Sequence, residues 1–191
     1  LTAVKFGISL TASWSNQAGA LVHVYRDGSV HLKHGGTEMG QGLNMKVAQV
    51  VAAEFGRTLD KIRITATHTG KVPNTSATAA SSGSDLNGMA AADACRQIKE
   101  RLVEFIADEF RANASNVQFA DGHVMVSGKR ISFETLIDKA YLARVQLSAA
   151  GFYKTPDIHW DRATGQGNPF YYFAYGASVS EVNVDTLTGE Y

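Results

Sequence analysis

One cysteine, Cys95, is all the chain contains, so no internal disulfide can form, and a lone thiol fits a reducing compartment such as the cytoplasm. Charge of either sign is not in excess either, since 18 lysines and arginines face 18 aspartates and glutamates. That balance removes the electrostatic basis for binding nucleic acid or a membrane surface. No apolar run approaches the ~18 residues needed to span a bilayer, and no signal peptide is visible. Six histidines (His23, His31, His34, His68, His123 and His159) are scattered without the spacing of a zinc site. No serine–histidine pair is identifiable from spacing. Gly40-x-Gly42 lacks the third glycine of a dinucleotide fingerprint, and no Lys-Ser/Thr pair follows it as in a phosphate-binding loop. Cys95 stands among alanines in a helical stretch, the setting of a small buried hydrophobe rather than a nucleophile.

What is present is a globular composition. With 191 residues, 45% apolar and 19% charged, the chain suffices for one domain with a substantial core. It starts without Met, and 185–191 read as a hairpin turn short of its return strand, so 1–191 is expected to be a segment incomplete at both ends. Residues 20–25 and 29–32 read as strands joined through Asp27-Gly28. Apolar positions 43, 47, 50 and 51 share one helical face, with Gly56 as C-cap. Residues 61–66 alternate as a strand. Positions 86, 89, 90, 94, 98, 102, 105, 106 and 110 predict a long helix with Ser84 or Asp85 as N-cap. A second hairpin runs from 117–119 through Asp121-Gly122 to 124–126, and a helix over 133–144 follows Ser132 as N-cap. Residues 146–150, 170–179 and 181–185 are strand-like, and 161–168 read as an exposed loop. Hairpins mixed with two or three helices predict an α+β fold with a mixed sheet.

Gly35-Gly36-Thr37-Glu38-Met39-Gly40-Gln41-Gly42 organises this pattern. Four glycines before a helix let the backbone approach a ligand, and the helix start attracts anions, roughly 0.3–1 kcal/mol per contact. Gln41 adds an amide that donates and accepts, which suits a heterocycle. Glu38 fits a backbone-anchoring role better than that of a base. A second small-residue loop, 71–85, opens onto the long helix. Two adjacent helix starts would then hold both ends of one extended anionic ligand. The bland alternatives are a tight turn that uses glycine for geometry alone, and a serine loop that merely packs and caps.

At these stretches the sequence resembles the molybdenum-cofactor subunit of the xanthine dehydrogenase family, its bacterial members above all. The first carrier is the glycine stretch 35–42. The second is Val72-Pro73-Asn74-Thr75-Ser76 with Thr78-Ala79-Ala80-Ser81 and Asp85-Leu86-Asn87-Gly88. Phe6-Gly7-Ile8-Ser9, Asn16-Gln17-Ala18-Gly19-Ala20, Leu147-Ser148-Ala149, Gly151-Phe152-Tyr153 and Tyr172-Phe173-Ala174-Tyr175-Gly176 extend the likeness over the whole chain, which is a minor internal part of such a subunit.

The resemblance implies a molybdopterin whose dithiolene holds the metal, so that the protein offers no metal ligand. It implies that Met39, Gly40 and Gln41 contact the pterin. Thr78, Ala79, Ala80, Ser81, Ser82, Gly83 and Ser84 wrap the cofactor and its phosphate. Leu10, Thr11, Ala79 and Ala80 line the substrate pocket. The implied reaction is hydroxylation of a heterocycle, hypoxanthine or xanthine to urate, with water as oxygen source. Electrons leave through 2Fe-2S clusters and FAD in partner domains or subunits, within a dimer of the full assembly. The family's base glutamate is expected beyond Tyr191, so the segment alone is expected to be inactive. Leu10 stands where purine-oxidising relatives carry phenylalanine, losing about 0.5–1.5 kcal/mol of ring stacking. An aldehyde oxidase-like relative is therefore the alternative, with a non-catalytic binder of a phosphorylated ligand behind it.

Overall fold

The helical spacing over 86–110 becomes the longest element of the computed structural model, which describes residues 1–72 and 74–191. Pro73, within the second carrier of the resemblance, lies outside the described residues. In chain order the elements are β1 (Thr2–Ile8), β2 (Gln17–Val24), β3 (Val30–His34), α1 (Leu43–Phe55), β4 (Ile62–Ile64), α2 (Gly83–Phe110), β5 (Gln118–Ala120), β6 (His123–Val126) and β7 (Lys129–Ser132). Then come α3 (Phe133–Leu142), β8 (Ser148–Lys154), β9 (His159–Asp161), β10 (Gln166–Asn168) and β11 (Tyr172–Ser178). This is the expected α+β class, with three α-helices among the described residues and a mixed main sheet of order β4-β3-β2-β8. β2 runs antiparallel to both neighbours, while β4 joins β3 in parallel.

Alternation decides which face of that sheet is covered. Ala18, Ala20, Val22 and Val24 on β2, with Val30 and Leu32 on β3, point into one core with Leu43, Val47, Val51 and Phe55 of α1. From α2 the same core receives Leu86, Ala90, Ala94, Ile98, Leu102 and Ile106. Burying each large aliphatic or phenylalanine side chain stabilises by about 1.5–3 kcal/mol, an upper figure because the unfolded chain is partly collapsed. Where α2 crosses β8 the approach is closest. A Cβ on Gly151 would lie 2.0 Å from the Ala90 carbonyl oxygen and 2.5 Å from the Ala94 nitrogen.

A three-stranded meander, β5-β6-β7, docks α3 beside this core. Phe133 meets Phe55 and Phe119 with ring centroids 5.7 and 6.4 Å away, and the Arg57 guanidinium bonds Glu134 at 2.5 Å. Ser132 caps α3 as expected, its hydroxyl accepting from the Thr135 N–H at 3.1 Å. β1 and β11 form a separate antiparallel ribbon in which Thr2 pairs with Ser178 and Ile8 with Tyr172.

Several boundaries differ from the sequence reading. Residues 181–185 form no strand: Val182 and Val184 alternate, but no neighbouring chain offers them a ladder. The stretch 161–168 is not all loop: residues 162–165 form the turn of a small hairpin between β9, which ends at Asp161, and β10, which takes up Gln166–Asn168. The strand read at 61–66 keeps only β4, after a short 3-10 turn over Leu59–Lys61. β8 begins two residues later than its expected strand and runs on to Lys154. β7 was not expected at all, although Ser127-Gly128 before it is a turn dipeptide. The N-cap of α2 is Ser82, not Ser84 or Asp85. Among the described residues no helix is long and apolar enough to cross a membrane.

Candidate functional site

β3 ends at His34, and the glycine stretch carries the chain from there to α1. His34 is 2% exposed, and burial pushes its imidazole below the ordinary value, so it stays neutral and its Nδ1 accepts the Gly36 N–H at 3.1 Å. The Gly36 backbone is pressed against α1 and α2. A Cβ there would lie 2.6 Å from Leu43 and 2.8 Å from Asn87. Gly42, at φ 75°, then turns the chain into the helix.

Glu38 closes that helix start from inside. Its carboxylate accepts N–H groups from Gly40 at 3.0 Å, Gly42 at 2.9 Å and Asn44 at 3.0 Å. These backbone bonds, Asn44's foremost, hold its carboxyl below the usual range. The backbone-anchoring role expected for Glu38 is thus what the structure shows. The expectation of two open helix starts fails at α1, because the amides meant for a ligand already have a carboxylate. Gln41 likewise folds onto its own loop, with Oε1 accepting from Met39 N–H at 2.6 Å and Nε2 donating to Thr37 O at 2.9 Å.

The second loop is built differently. Ala80 and Ser81 occupy φ of 52° and 55°, two consecutive left-handed residues that cost roughly 1–2 kcal/mol each. Strain of this kind persists where surrounding structure over-determines it, commonly at ligand sites. The Ser82 hydroxyl donates to Ala79 O at 3.0 Å instead of capping, and no side chain caps the α2 start. Asp85, in the first turn, accepts its own neighbour's Leu86 N–H at 2.8 Å and the Tyr172 hydroxyl at 3.0 Å. The α2 start thus carries no side-chain cap, and its one first-turn carboxylate, Asp85, does not line the cavity, whereas the α1 start is closed by Glu38.

The two loops meet. Thr37 N–H donates to Thr78 Oγ1 at 2.8 Å across the junction. Beside this bond lies a cavity of about 500 Å³, walled by Met39, Gln41, Leu43 and Lys46 on one side. On the other side stand Thr78, Ala79, Ala80 and Ser81 with Gly83 and Ser84 of α2. Of the sequence-predicted cofactor residues, only Gly40 and the buried Ser82 do not line it. Leu10 and Thr11 do not line it either; their link is the Ser9 N–H, which donates to Ala80 O at 3.4 Å. Both backbone groups of Leu10 are held by the Asn16 amide at 2.8 Å, which fixes this turn beside Ala80.

Lys46 was missed by sequence reasoning, although it stands one helical turn beyond Gly42, whose carbonyl accepts its N–H at 3.1 Å. Among the described residues, hydroxyls, amides and one cation line the cavity, and no carboxylate does. That is the chemistry of an anionic ligand with a polar ring system. A cavity of about 540 Å³ on the outer face of α2 is a weaker candidate. Its Arg101 is already bonded to Gln146 Oε1 at 2.7 Å and Ser148 O at 3.0 Å. Cys95 is fully buried and its thiol pushed far up by burial, as a packing residue requires. Among the described residues no group of three or more His, Cys, Asp or Glu is placed to hold a metal ion.

Comparison with known proteins gives a consistent set of matches. The family described as "Molybdopterin cofactor-binding domain" matches residues 1–191. The chain is 50% identical over 187 residues to the xanthine dehydrogenase of Oryza sativa subsp. japonica, covering 98% of this chain and 12% of that protein. It is 49% identical over 187 residues to the xanthine dehydrogenase/oxidase of Mus musculus, covering 98% of this chain and 13% of that protein. It thus spans 12–13% of the length of these curated relatives. Its fold superposes on reconstituted CO dehydrogenase from Oligotropha carboxidovorans with a TM-score of 0.70, over 81% of this chain and 21% of that one, at 23% identity.

Proposed function

The chain belongs to the molybdopterin cofactor-binding domain family, and from that premise we propose that its cavity holds a molybdopterin inside a larger molybdenum hydroxylase of purines. In this reading the complete enzyme converts hypoxanthine or xanthine to urate, with water as oxygen source. Support for the substrate comes from the names of relatives half identical over nearly the whole chain. The observation that carries the cofactor assignment is the single cavity formed jointly by both motifs, floored by an open helix start and flanked by Lys46.

The residues present fit such a group. Lys46, the Ser81 and Ser84 hydroxyls and the first amides of α2 would hold its phosphate, an anion at a helix N-terminus. Met39 and Gln41 would bear on the pterin ring, and the methyl side chains of Ala79 and Ala80 leave room for a planar substrate. When bound, the cofactor supplies oxygen transfer to carbon and accepts two electrons. The chain's own part is to bind, orient and exclude bulk water. The base glutamate and the 2Fe-2S and FAD carriers that pass electrons on come from outside these 191 residues, in a dimeric cytoplasmic assembly.

A second reading, an aldehyde as substrate, has Leu10 in its favour, because an aliphatic wall lacks the stacking a purine gains from an aromatic one. Purine and aldehyde turnover by the complete enzyme separates the two. The cofactor assignment is tested by Gly83→Asp. A Cβ at Gly83 meets only ordinary contacts at 3.5 Å and beyond, and aspartate suits a helix start, so the fold is kept. Its charge would oppose a phosphate, lowering molybdenum and pterin content of the complete enzyme at least roughly tenfold. Full cofactor content in that variant, or no molybdenum in the wild type, refutes the assignment.

A further inference from the structure

The β1–β11 ribbon reaches the cofactor loops at two places only a few residues apart in sequence. Tyr172 opens β11 directly opposite Ile8, the last residue of β1. Its hydroxyl donates to Asp85 Oδ2 at 3.0 Å, in the first turn of α2. One step beyond Ile8, Ser9 is 4% exposed at φ 114°, a conformation L residues rarely adopt, and its N–H reaches Ala80 O. The contacts close a ring: Asp85 to Tyr172, across the ladder to Ile8, through Ser9 to Ala80, and back along the chain from 80 to 85. Phe170 stiffens the ribbon next to this ring, lying so close to Gly7 that a Cβ there would fall 2.4 Å from its ring.

We propose that Asp85 and Tyr172 are a positioning pair that holds the 9–11 turn against Ala79 and Ala80, and so sets the width of the slot into which the substrate ring enters. The proposal rests on the reading of Leu10, Thr11, Ala79 and Ala80 as the substrate pocket. Neither member lines the cavity. The bond is directional, because burial and the neighbouring Asp85 push the Tyr172 phenol up to about 12. Tyr172 therefore keeps its proton at neutral pH and remains the donor. Strain at Ser9 is what such a pair would maintain, since an unfavourable φ relaxes unless contacts on both sides resist it. Without the bond, the ribbon remains paired but swings relative to α2, and the turn carrying Leu10 moves with it.

The test uses the complete enzyme with Tyr172→Phe, Asp85→Ala, the double variant, and Tyr171→Phe as a neighbouring hydroxyl without this bond. Amide exchange of a peptide covering 8–12 is read beside KM, kcat and molybdenum content. Tyr172→Phe is expected to speed exchange of 8–12 by roughly five- to tenfold and to raise KM for the heterocycle by a similar factor. The same variant leaves kcat within about twofold and molybdenum content unchanged, and the double variant matches Asp85→Ala, which has already removed the shared bond along with the Leu86 N–H contact. Tyr171→Phe behaves as wild type. Unchanged exchange and KM in Tyr172→Phe, or effects that multiply in the double variant, overturn the proposal. Failure of the underlying reading shows separately, as a wild-type enzyme without molybdenum or heterocycle turnover, while the exchange measurement still decides whether the pair positions the turn.

Discussion

A methyl group at Gly151 is the perturbation whose cost follows most directly from the structure. The 2.0 Å separation between an added Cβ and Ala90 O must open to the 3.4 Å of ordinary contact, a shift of 1.4 Å. Neither clashing partner can rotate away, since the Ala90 oxygen and the Ala94 nitrogen both belong to the α2 backbone. Gly151 cannot retreat easily either, because β8 is paired to β2 with Gly151 opposite Ala20. Overpacking costs typically 1–3 kcal/mol, and a rigid backbone clash on both sides belongs at the upper end, about 3 kcal/mol.

In the complete enzyme that loss is read locally, as hydrogen exchange in peptides from α2 and β8. About 3 kcal/mol corresponds to exchange on the order of a hundredfold faster. Gly88→Ala is the control. A Cβ there would sit 3.5 Å from Val50 in ordinary contact, within a helix where alanine is favoured by about 0.8–1.0 kcal/mol, so exchange slows. Gly151→Ala should also lower cofactor content, because the α2 start moves with the helix. Wild-type exchange in Gly151→Ala, or damage of equal size in Gly88→Ala, would refute the reasoning that a bare strand residue sets the position of α2.

Glu38 has a folded-state pKa held down by backbone donors, so its contribution is complete above the ordinary 4.5 and disappears as pH falls through the lowered value. Amide exchange over 40–44, corrected for its intrinsic pH dependence, should therefore speed up on acidification below that range. Glu38→Gln should show fast exchange at neutral pH with no such transition, and a transition that persists in Glu38→Gln would contradict the assignment. Lys46→Glu reverses the only cation among the described residues that line the cavity and should lower molybdenum content roughly tenfold, with Lys46→Met falling between. Equal content in all three proteins would remove Lys46 from the site.

How much of this was legible in the sequence depended on how local the cause was. The Asp121-Gly122 hairpin, the Ser132 cap and the Gly56 terminus of α1 are decided within a few residues and were read correctly. Most of the core faces of α1 and α2 follow from spacing, but Met89 on the predicted face is exposed and Val50 is only half-buried. Val182 and Val184 misled because alternation gives a strand only when a neighbouring ladder exists, and none lies beside them. β7 was overlooked because Lys129, Arg130 and Ser132 hide its single apolar residue, Ile131. The cavity residues named from the motifs were mostly brought together, yet Lys46 carries no motif and depends on the direction in which one helix face points.

The least legible feature was the inequality of the two helix starts. Both follow small-residue loops, and sequence alone gives each an anion-attracting end. In the structure the carboxylates break the symmetry: Glu38 occupies the amides of the glycine loop and the α1 start, whereas Asp85 in the first turn of α2 bonds Leu86 and Tyr172 and leaves that start without a side-chain cap. A glycine loop without that internal anion would be free to move and would have to be ordered by its ligand, at a cost in conformational entropy. With Glu38 bound, the Met39–Gln41 corner is fixed beforehand, as the additional Gln41 bonds to Met39 and Thr37 attest. The division of labour follows from where the carboxylates sit: α1 carries a prearranged wall with Lys46 on it, and α2 offers a start without a side-chain cap, its one first-turn carboxylate, Asp85, being bonded to Leu86 and Tyr172 outside the cavity lining. An anionic ligand is therefore drawn to one end of the cavity, which gives the bound molecule a direction as well as a place.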